Sequence, residues 1–178
     1  WMVFGHKPAA VTVLEGIRAK LPETAITYAP GPEIHRDFPH PFGEFDLVEK
    51  KPIQTPEDAE AAFQTALETA RSADLVIMVL GENADMSGEF ASRGSLDLPG
   101  RQEELLKAVT ALGKPVVLVL LNGRPLSINW AAENVPAILE AWQPGTEGGH
   151  AVADILFGDV NPGGKLPVCF PRSGGHAP

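Results

Sequence analysis

The stretch that decides the fold is "DLVIMVLG", residues 74–81, in which only the first residue is polar. An unbroken apolar run of this kind is typical of a strand that is covered on both faces. Two further runs share this character, "KPVVLVLLNG" at 114–123 and "VPAILEAWQPG" at 135–145. Strands that faced solvent on one side would alternate apolar and polar residues, so the three runs predict a buried, parallel sheet.

Helical periodicity alternates with these strands. Helices are predicted at 9–20, 55–74, 100–113 and 146–159. Thr55 is the expected N-cap of the second helix, and a short additional strand is predicted at 24–31. This alternation predicts a three-layer α/β/α sandwich with a mostly parallel sheet. Ligands of such sheets bind beyond the carboxyl ends of the strands, so the loops that leave those ends carry the candidate chemistry.

The composition excludes several functional classes. The net charge of −9 argues against a nucleic-acid partner, which would require a basic face. No segment has the roughly 18 consecutive apolar residues of a membrane helix. The single Cys169 can form no internal disulfide and no zinc site alone, so it is expected to be a small core residue. The start at Trp1, without a leader, suggests a piece of a longer protein.

Familiar cofactor motifs are missing from the sequence. "GDVNPGGK" at 158–165 resembles a phosphate loop, but Asp159 stands where a glycine is required and Leu166 where a serine or threonine is required. No strand is followed by G-x-G-x-x-G, and no G-x-S-x-G marks a hydrolase nucleophile. The sequence therefore implies no cofactor and no metal.

The loop "GENADMSGEFASRGSLDLPG" at 81–100 is the strongest candidate for a site, because it leaves the carboxyl end of the first buried run and is rich in carboxylates. Those carboxylates are Glu82, Asp85, Glu89 and Asp97. Acid catalysis needs a carboxylic acid held beside a second carboxylate of different role. On residue pattern alone, a solvated acidic loop and a catalytic loop both remain open.

Five blocks carry a resemblance to a known family. They are "TVLEGIRA", "ADLVIMVLGE", "GEFASRGSLDLPGRQEELLKAV", "KPVVLVLLNGRPLSINW" and "AILEAWQPGTEGGHAVADILFGDVNPGGKLPVCFPRS". In this order they resemble the C-terminal α/β sandwich domain of glycoside hydrolase family 3, with the greatest similarity to bacterial β-glucosidases of the periplasmic type. The resemblance covers about residues 1–178 and is weakest through 31–54.

The resemblance implies a retaining, exo-acting β-glucosidase that releases terminal non-reducing β-D-glucosyl residues. In this family a TIM-like barrel carries the nucleophilic aspartate, and the sandwich domain lends the acid/base carboxylate from a loop. A fibronectin-type III domain follows in many members. Residues 1–178 would then be the sandwich domain alone, with the domain's first strand preceding Trp1. Such a piece is expected to be inactive by itself and to come from a periplasmic or secreted enzyme.

Two alternatives stay open beside this interpretation. One is a domain that only binds carbohydrate or supports the barrel. The other is a β-xylosidase or α-arabinosidase of the same family, because the sugar pocket would lie mainly in the barrel.

The resemblance also carries residue roles. Many members have S-E-G-x-D-R in the loop after this strand, where the sequence here reads S-G-E-F-A-S-R at 87–93. Glu89 then falls on the acid/base position, and Arg93 falls near the motif's arginine, as a candidate substrate contact. Phe90 replaces the motif's glycine. Glu82 is the rival acid/base, although its place directly after the strand favours a structural role.

Aromatic residues offer further candidate substrate contacts. Trp142 follows the third buried run and could either stack on a sugar ring or simply pack at the sheet edge. Phe42, with Phe38 and Phe45, could line the leaving-group subsite or hold the long loop in place. Arg124 in "NGRP" is predicted to form a structural ion pair.

Overall fold

The computed structural model describes residues 7–36 and 53–176. Five α-helices and three strands alternate along these ranges. They are α1 (Val13–Lys20), α2 (Pro56–Ser72), β1 (Val76–Gly81), α3 (Gln102–Thr110), β2 (Val116–Leu121), α4 (Asn129–Asn134), β3 (Ala137–Glu140) and α5 (Gly148–Leu156). Short 3-10 turns lie at Lys7–Ala9, Ala84–Met86 and Gly174–His176.

The strands within the described residues form one parallel sheet in the order β1-β2-β3. Val76 of β1 lies opposite Val116 of β2, and Val117 of β2 lies opposite Ala137 of β3. Every strand therefore ends at the same edge, as the three buried runs predicted. The central strand is the most buried because it has a neighbour on each side and helices on both faces.

Helices cover both faces of the sheet, which confirms the predicted three-layer α/β/α sandwich. Leu118 and Leu120 of β2 are 0% exposed and belong to the core beneath α2, α3 and α4. Val119, between them, belongs to the opposite core beneath α1 and α5. Since successive side chains of a strand point to opposite faces, this one strand supplies both cores. Burying each such leucine contributes roughly 1.5–3 kcal/mol.

Helices α1 and α5 approach each other closely at a pair of glycines. A Cβ added at Gly16 would collide with the carbonyl of Gly149, and one added at Gly149 would collide with the carbonyl of Thr12. The Thr12 side chain caps α1 and pairs reciprocally with Glu15. This contact holds the start of α5, and hence the loop after β3, against the rest of the domain.

The structure differs from the sequence predictions at three places. The predicted strand at 24–31 has no strand pairing; Ile26 instead packs against the core beneath α1. Helix α4 was not predicted, because six residues are too few to show helical periodicity. Cys169 is exposed rather than buried, since it lies in the surface segment 160–169. Thr55, by contrast, is the N-cap of α2, as predicted.

No helix within 7–36 or 53–176 has both the length and the apolar character needed to cross a membrane.

Candidate active site

The carboxyl ends of the three strands bring polar groups together. Glu82 follows β1, and its backbone N–H donates to Leu121 at the end of β2 over 2.8 Å. The Gly123 N–H, after β2, lies 3.3 Å from Glu82 Oε2. The Asn122 amide lies 3.4 Å from Glu140, the last residue of β3. The candidate site is thus at the edge where parallel sheets bind their ligands.

Glu82 is a buried carboxylate whose partners all belong to this domain. Its side chain is 1% exposed. Arg93 Nη1 donates to Oε1 over 2.9 Å, and the Ser87 hydroxyl donates to Oε2 over 2.8 Å. Arg124 Nε lies 3.0 Å from Oε1, within ion-pair distance but outside hydrogen-bond geometry. These contacts hold Glu82 inside its own domain, as a structural role would require, and the predicted ion pair of Arg124 is present.

One buried side chain joins the two ends of the loop at 82–100. Gln102, at the start of α3, accepts a hydrogen bond from the Gly81 N–H over 2.7 Å. Its amide nitrogen donates to the carbonyls of Gly81, over 2.7 Å, and Pro99, over 3.0 Å. Gly81 has a φ of 137°, which is open to glycine and strained for other residues. The loop therefore leaves and re-enters the domain at one fixed point.

Glu89 lies at the exposed tip of this loop. A turn closed by the Ala91 N–H and the Gly88 carbonyl, 3.2 Å apart, carries it. Within the described part of the chain, its carboxylate has no hydrogen bond and no ion pair. Glu82 and Glu89 thus sit in opposite environments, one neutralised inside the domain and one turned to solvent.

Phe90, directly after Glu89, has a left-handed backbone conformation. Its φ is 59°, in the region that glycine adopts without cost and that other residues adopt only with strain. Its side chain is 52% exposed. A glycine at this position would adopt the same φ without strain.

The three candidate substrate contacts lie in different settings. The Arg93 guanidinium, 10% exposed, donates to Glu82 and to the Asp97 carbonyl, 2.9 Å away in each case. Arg93 also lines a cavity of about 230 Å³, together with His35, Arg36 and Ser95. Its role in substrate binding stays a prediction.

Trp142 is half-buried beside the end of β3. Its backbone N–H donates to Glu140 Oε1 over 2.9 Å, and its ring centroid lies 5.7 Å from that of Phe170. A φ of 50° turns the chain at this residue. A role in sugar stacking stays a prediction. Phe42, like Phe38 and Phe45, lies outside the described residues.

Glu140 is a site residue that the sequence pattern did not single out. Burial raises the pKa of its carboxyl group above the ordinary value, and hydrogen bonds from the Trp142 N–H and the Asn122 amide oppose this shift. The available signal was a lone acidic residue at the carboxyl end of an apolar run, the same signal that singled out Glu82.

Within residues 7–36 and 53–176, no group of three or more histidine, cysteine, aspartate or glutamate side chains could hold a metal ion.

Comparison with known proteins gives one family. Residues 1–178 match the model of the "Glycosyl hydrolase family 3 C-terminal domain". A periplasmic beta-glucosidase of Salmonella typhimurium is 43% identical over 100% of the chain and 23% of its own length. A beta-xylosidase of Formosa agariphila is 43% identical over 98% of the chain and 21% of its own length.

A solved structure extends the likeness to the fold. The structure of a b-glucosidase from Erythrobacter marinus matches 93% of the chain with a TM-score of 0.79 and 40% identity. The chain covers 23% of that protein. The chain thus spans less than a quarter of the length of each of these relatives.

Proposed function

This chain belongs to glycosyl hydrolase family 3, and from that membership we propose that it supplies the acid/base carboxylate, Glu89, of a retaining, exo-acting β-glucosidase. The nucleophile would come from a TIM-like barrel of the same polypeptide, outside residues 1–178. The substrate would be a glycoside or oligosaccharide with a terminal non-reducing β-D-glucosyl residue.

The observation that carries this proposal is the contrast between the two glutamates of one loop. Glu82 is enclosed by Arg93, Arg124 and Ser87, and its side chain is 1% exposed. Glu89 stands on the same loop with an exposed carboxylate. A proton donor that serves a nucleophile on another domain must project from its own domain, and Glu89 meets that requirement.

The chemistry places firm demands on Glu89. In retaining glycosidases the two carboxyl groups lie about 5–5.5 Å apart. The nucleophile attacks the anomeric carbon while Glu89, protonated, donates its proton to the leaving oxygen. Glu89, now a carboxylate, then removes a proton from the water that cleaves the glycosyl-enzyme bond. The chain alone, without a nucleophile, is expected to be inactive. The proposal requires no cofactor.

The names of the relatives support a location and a second candidate activity. A periplasmic relative favours a periplasmic or secreted enzyme. A beta-xylosidase of equal identity favours β-xyloside hydrolysis as the second candidate, since both activities would use the same Glu89. A following fibronectin-type III domain and an α-arabinosidase activity remain predictions of the family resemblance.

The test is replacement of Glu89 in the full-length enzyme. Glu89→Gln should lower kcat/KM by roughly 10²-fold or more on an alkyl β-glucoside, whose leaving group needs protonation. Activated dinitrophenyl β-glucoside should lose much less in its first step. With Glu89→Ala, azide should accelerate turnover of the activated substrate and yield the β-glucosyl azide, because azide needs no general base.

Glu133→Gln is the matched control, since Glu133 is an exposed glutamate of α4, outside the loop and the cavity beside Arg93. It should leave both substrates within a few-fold of the unaltered enzyme. Equal activity of Glu89→Gln and Glu133→Gln on the alkyl glucoside would reject the proposal and favour a domain that only binds carbohydrate or supports the barrel.

A further inference from the structure

Arg124 reaches across from the end of β2 to the backbone on both sides of Glu89. Its Nη2 donates to the carbonyl of Met86, and the same atom donates to the carbonyl of Ala91 over 2.8 Å. Met86 is 2% exposed and Ala91 is 5% exposed, so both anchor points are buried. The exposed part of the 86–91 stretch lies between these two anchors, and Glu89 belongs to it.

The backbone of Arg124 is itself fixed by a hydrogen bond and by buried neighbours. The buried Asn122 side chain donates to the Arg124 carbonyl over 2.8 Å, and Leu126, two residues further on, is 0% exposed. Arg124 Nε faces Glu82, whose backbone is bonded to β2. One guanidinium therefore connects two strand ends of the rigid sheet to the two buried anchors of the turn.

We propose that Arg124 is a positioning residue that sets the place of the Glu89 carboxyl group through the carbonyls of Met86 and Ala91. The inference rests on the proposed role of Glu89. A planar guanidinium can serve two carbonyls and a carboxylate at once in fixed directions, whereas a lysine ammonium is a single point charge on a flexible stem. A displacement of about 1 Å in a catalytic group can cost on the order of 10²-fold in rate.

A second contact lies between Ser87, at the start of the turn, and Gly123, just after the end of β2. A Cβ added at Gly123 would lie 2.6 Å from the Ser87 Cβ, closer than side chains approach. The loop therefore rests directly on the Gly123 backbone, one residue before Arg124. Gly123→Ala must displace Ser87 and with it the turn, while it removes none of the charges of Glu82, Arg93 and Arg124.

The test compares Arg124→Lys with Arg101→Lys in the full-length enzyme. Arg101 lies at the other end of the same loop and is paired with Glu60 and Glu104 at the surface. Arg124→Lys keeps a positive charge, but its single nitrogen cannot contact the two carbonyls and face Glu82 at the same time, as Nη2 and Nε of the guanidinium do. We expect its kcat on an alkyl β-glucoside to fall about 10-fold or more with KM little changed. On dinitrophenyl β-glucoside, whose first step needs no acid, kcat/KM should fall less than about 3-fold.

Gly123→Ala should show the same dependence on the leaving group, and Arg101→Lys should show none. Thermal unfolding of each variant reports whether the fold is intact. If Arg124→Lys fails to fold, Gly123→Ala decides the matter alone. Equal losses on both substrates, or no loss on either, would overturn the positioning role.

The outcome stays separable from that of the proposed function. If Glu89→Gln depends on the leaving group and neither Arg124→Lys nor Gly123→Ala does, the positioning role fails and the acid/base assignment stands. If Glu89→Gln shows no such dependence, both are rejected.

Discussion

The base and the tip of one loop place the same type of side chain in contrasting environments. The loop base is Glu82 with its two arginines, Arg93 and Arg124; the loop tip is the stretch 88–90. In the base, one carboxylate with a 1% exposed side chain faces two guanidinium groups. In the tip, a carboxylate of the same type projects into solvent.

The difference shows how a domain can present a charged group to a partner. A buried ion pair seldom adds net stability, because desolvation offsets the attraction, but it fixes geometry. At the base, the Arg124 guanidinium that pairs with Glu82 also donates to the carbonyls of Met86 and Ala91, on both sides of Glu89. The Glu89 carboxylate itself takes no part in these contacts.

The largest effect should come from removing the charge at the base. Glu82→Gln leaves two poorly exposed guanidinium groups without their counter-charge and should lower the free energy of unfolding by about 3 kcal/mol. Glu89→Gln, an isosteric change at an exposed position, should alter it by less than about 0.5 kcal/mol. Urea denaturation of the chain measures both. Equal values for the two variants would show that base and tip do not differ in energy as they differ in structure.

A smaller effect is expected at the tip. Phe90→Gly and Phe90→Ala both remove the phenyl ring, but only glycine relieves the left-handed φ of 59°, so the free energy of unfolding of Phe90→Gly should exceed that of Phe90→Ala by roughly 1 kcal/mol. Ala91→Gly, next to it, loses a buried methyl group and gains chain entropy in the unfolded state, so it should destabilise the chain. Urea denaturation measures all three variants. Equal stability of Phe90→Gly and Phe90→Ala would mean that the tip carries no backbone strain.

The smallest effect concerns Glu140, whose environment lies between those of base and tip. Burial raises the pKa of its carboxyl group, so the folded state binds a proton more tightly than the unfolded state. The resulting stability is complete below the ordinary pKa of 4.5 and is lost as the pH rises through the folded pKa. Glu140→Gln cannot ionise, so its stability relative to the original chain should be greater at pH 7 than at pH 4. Urea denaturation at the two pH values tests this, and an unchanged difference would contradict it.

Much of the fold and part of the site were predictable from local pattern. The apolar runs at 74–81 and 114–123 predicted β1 and β2 because strands buried on both faces have no polar alternation. The prediction of a strand at 24–31 was wrong, because an extended apolar segment forms a strand only where an adjacent strand is in place to pair with it. The loop at 81–100 was identified because it follows a buried strand.

What the sequence alone determined is therefore the layered parallel architecture and the edge that carries the candidate site, while the acid/base role of Glu89 stays a prediction of the family resemblance. Only the tertiary structure decided which glutamate of the loop is neutralised, because the partner Arg124 comes from the end of another strand. It also revealed the left-handed turn at Phe90 and the half-buried Glu140. These depend on distances between segments far apart along the chain, which local residue patterns do not encode.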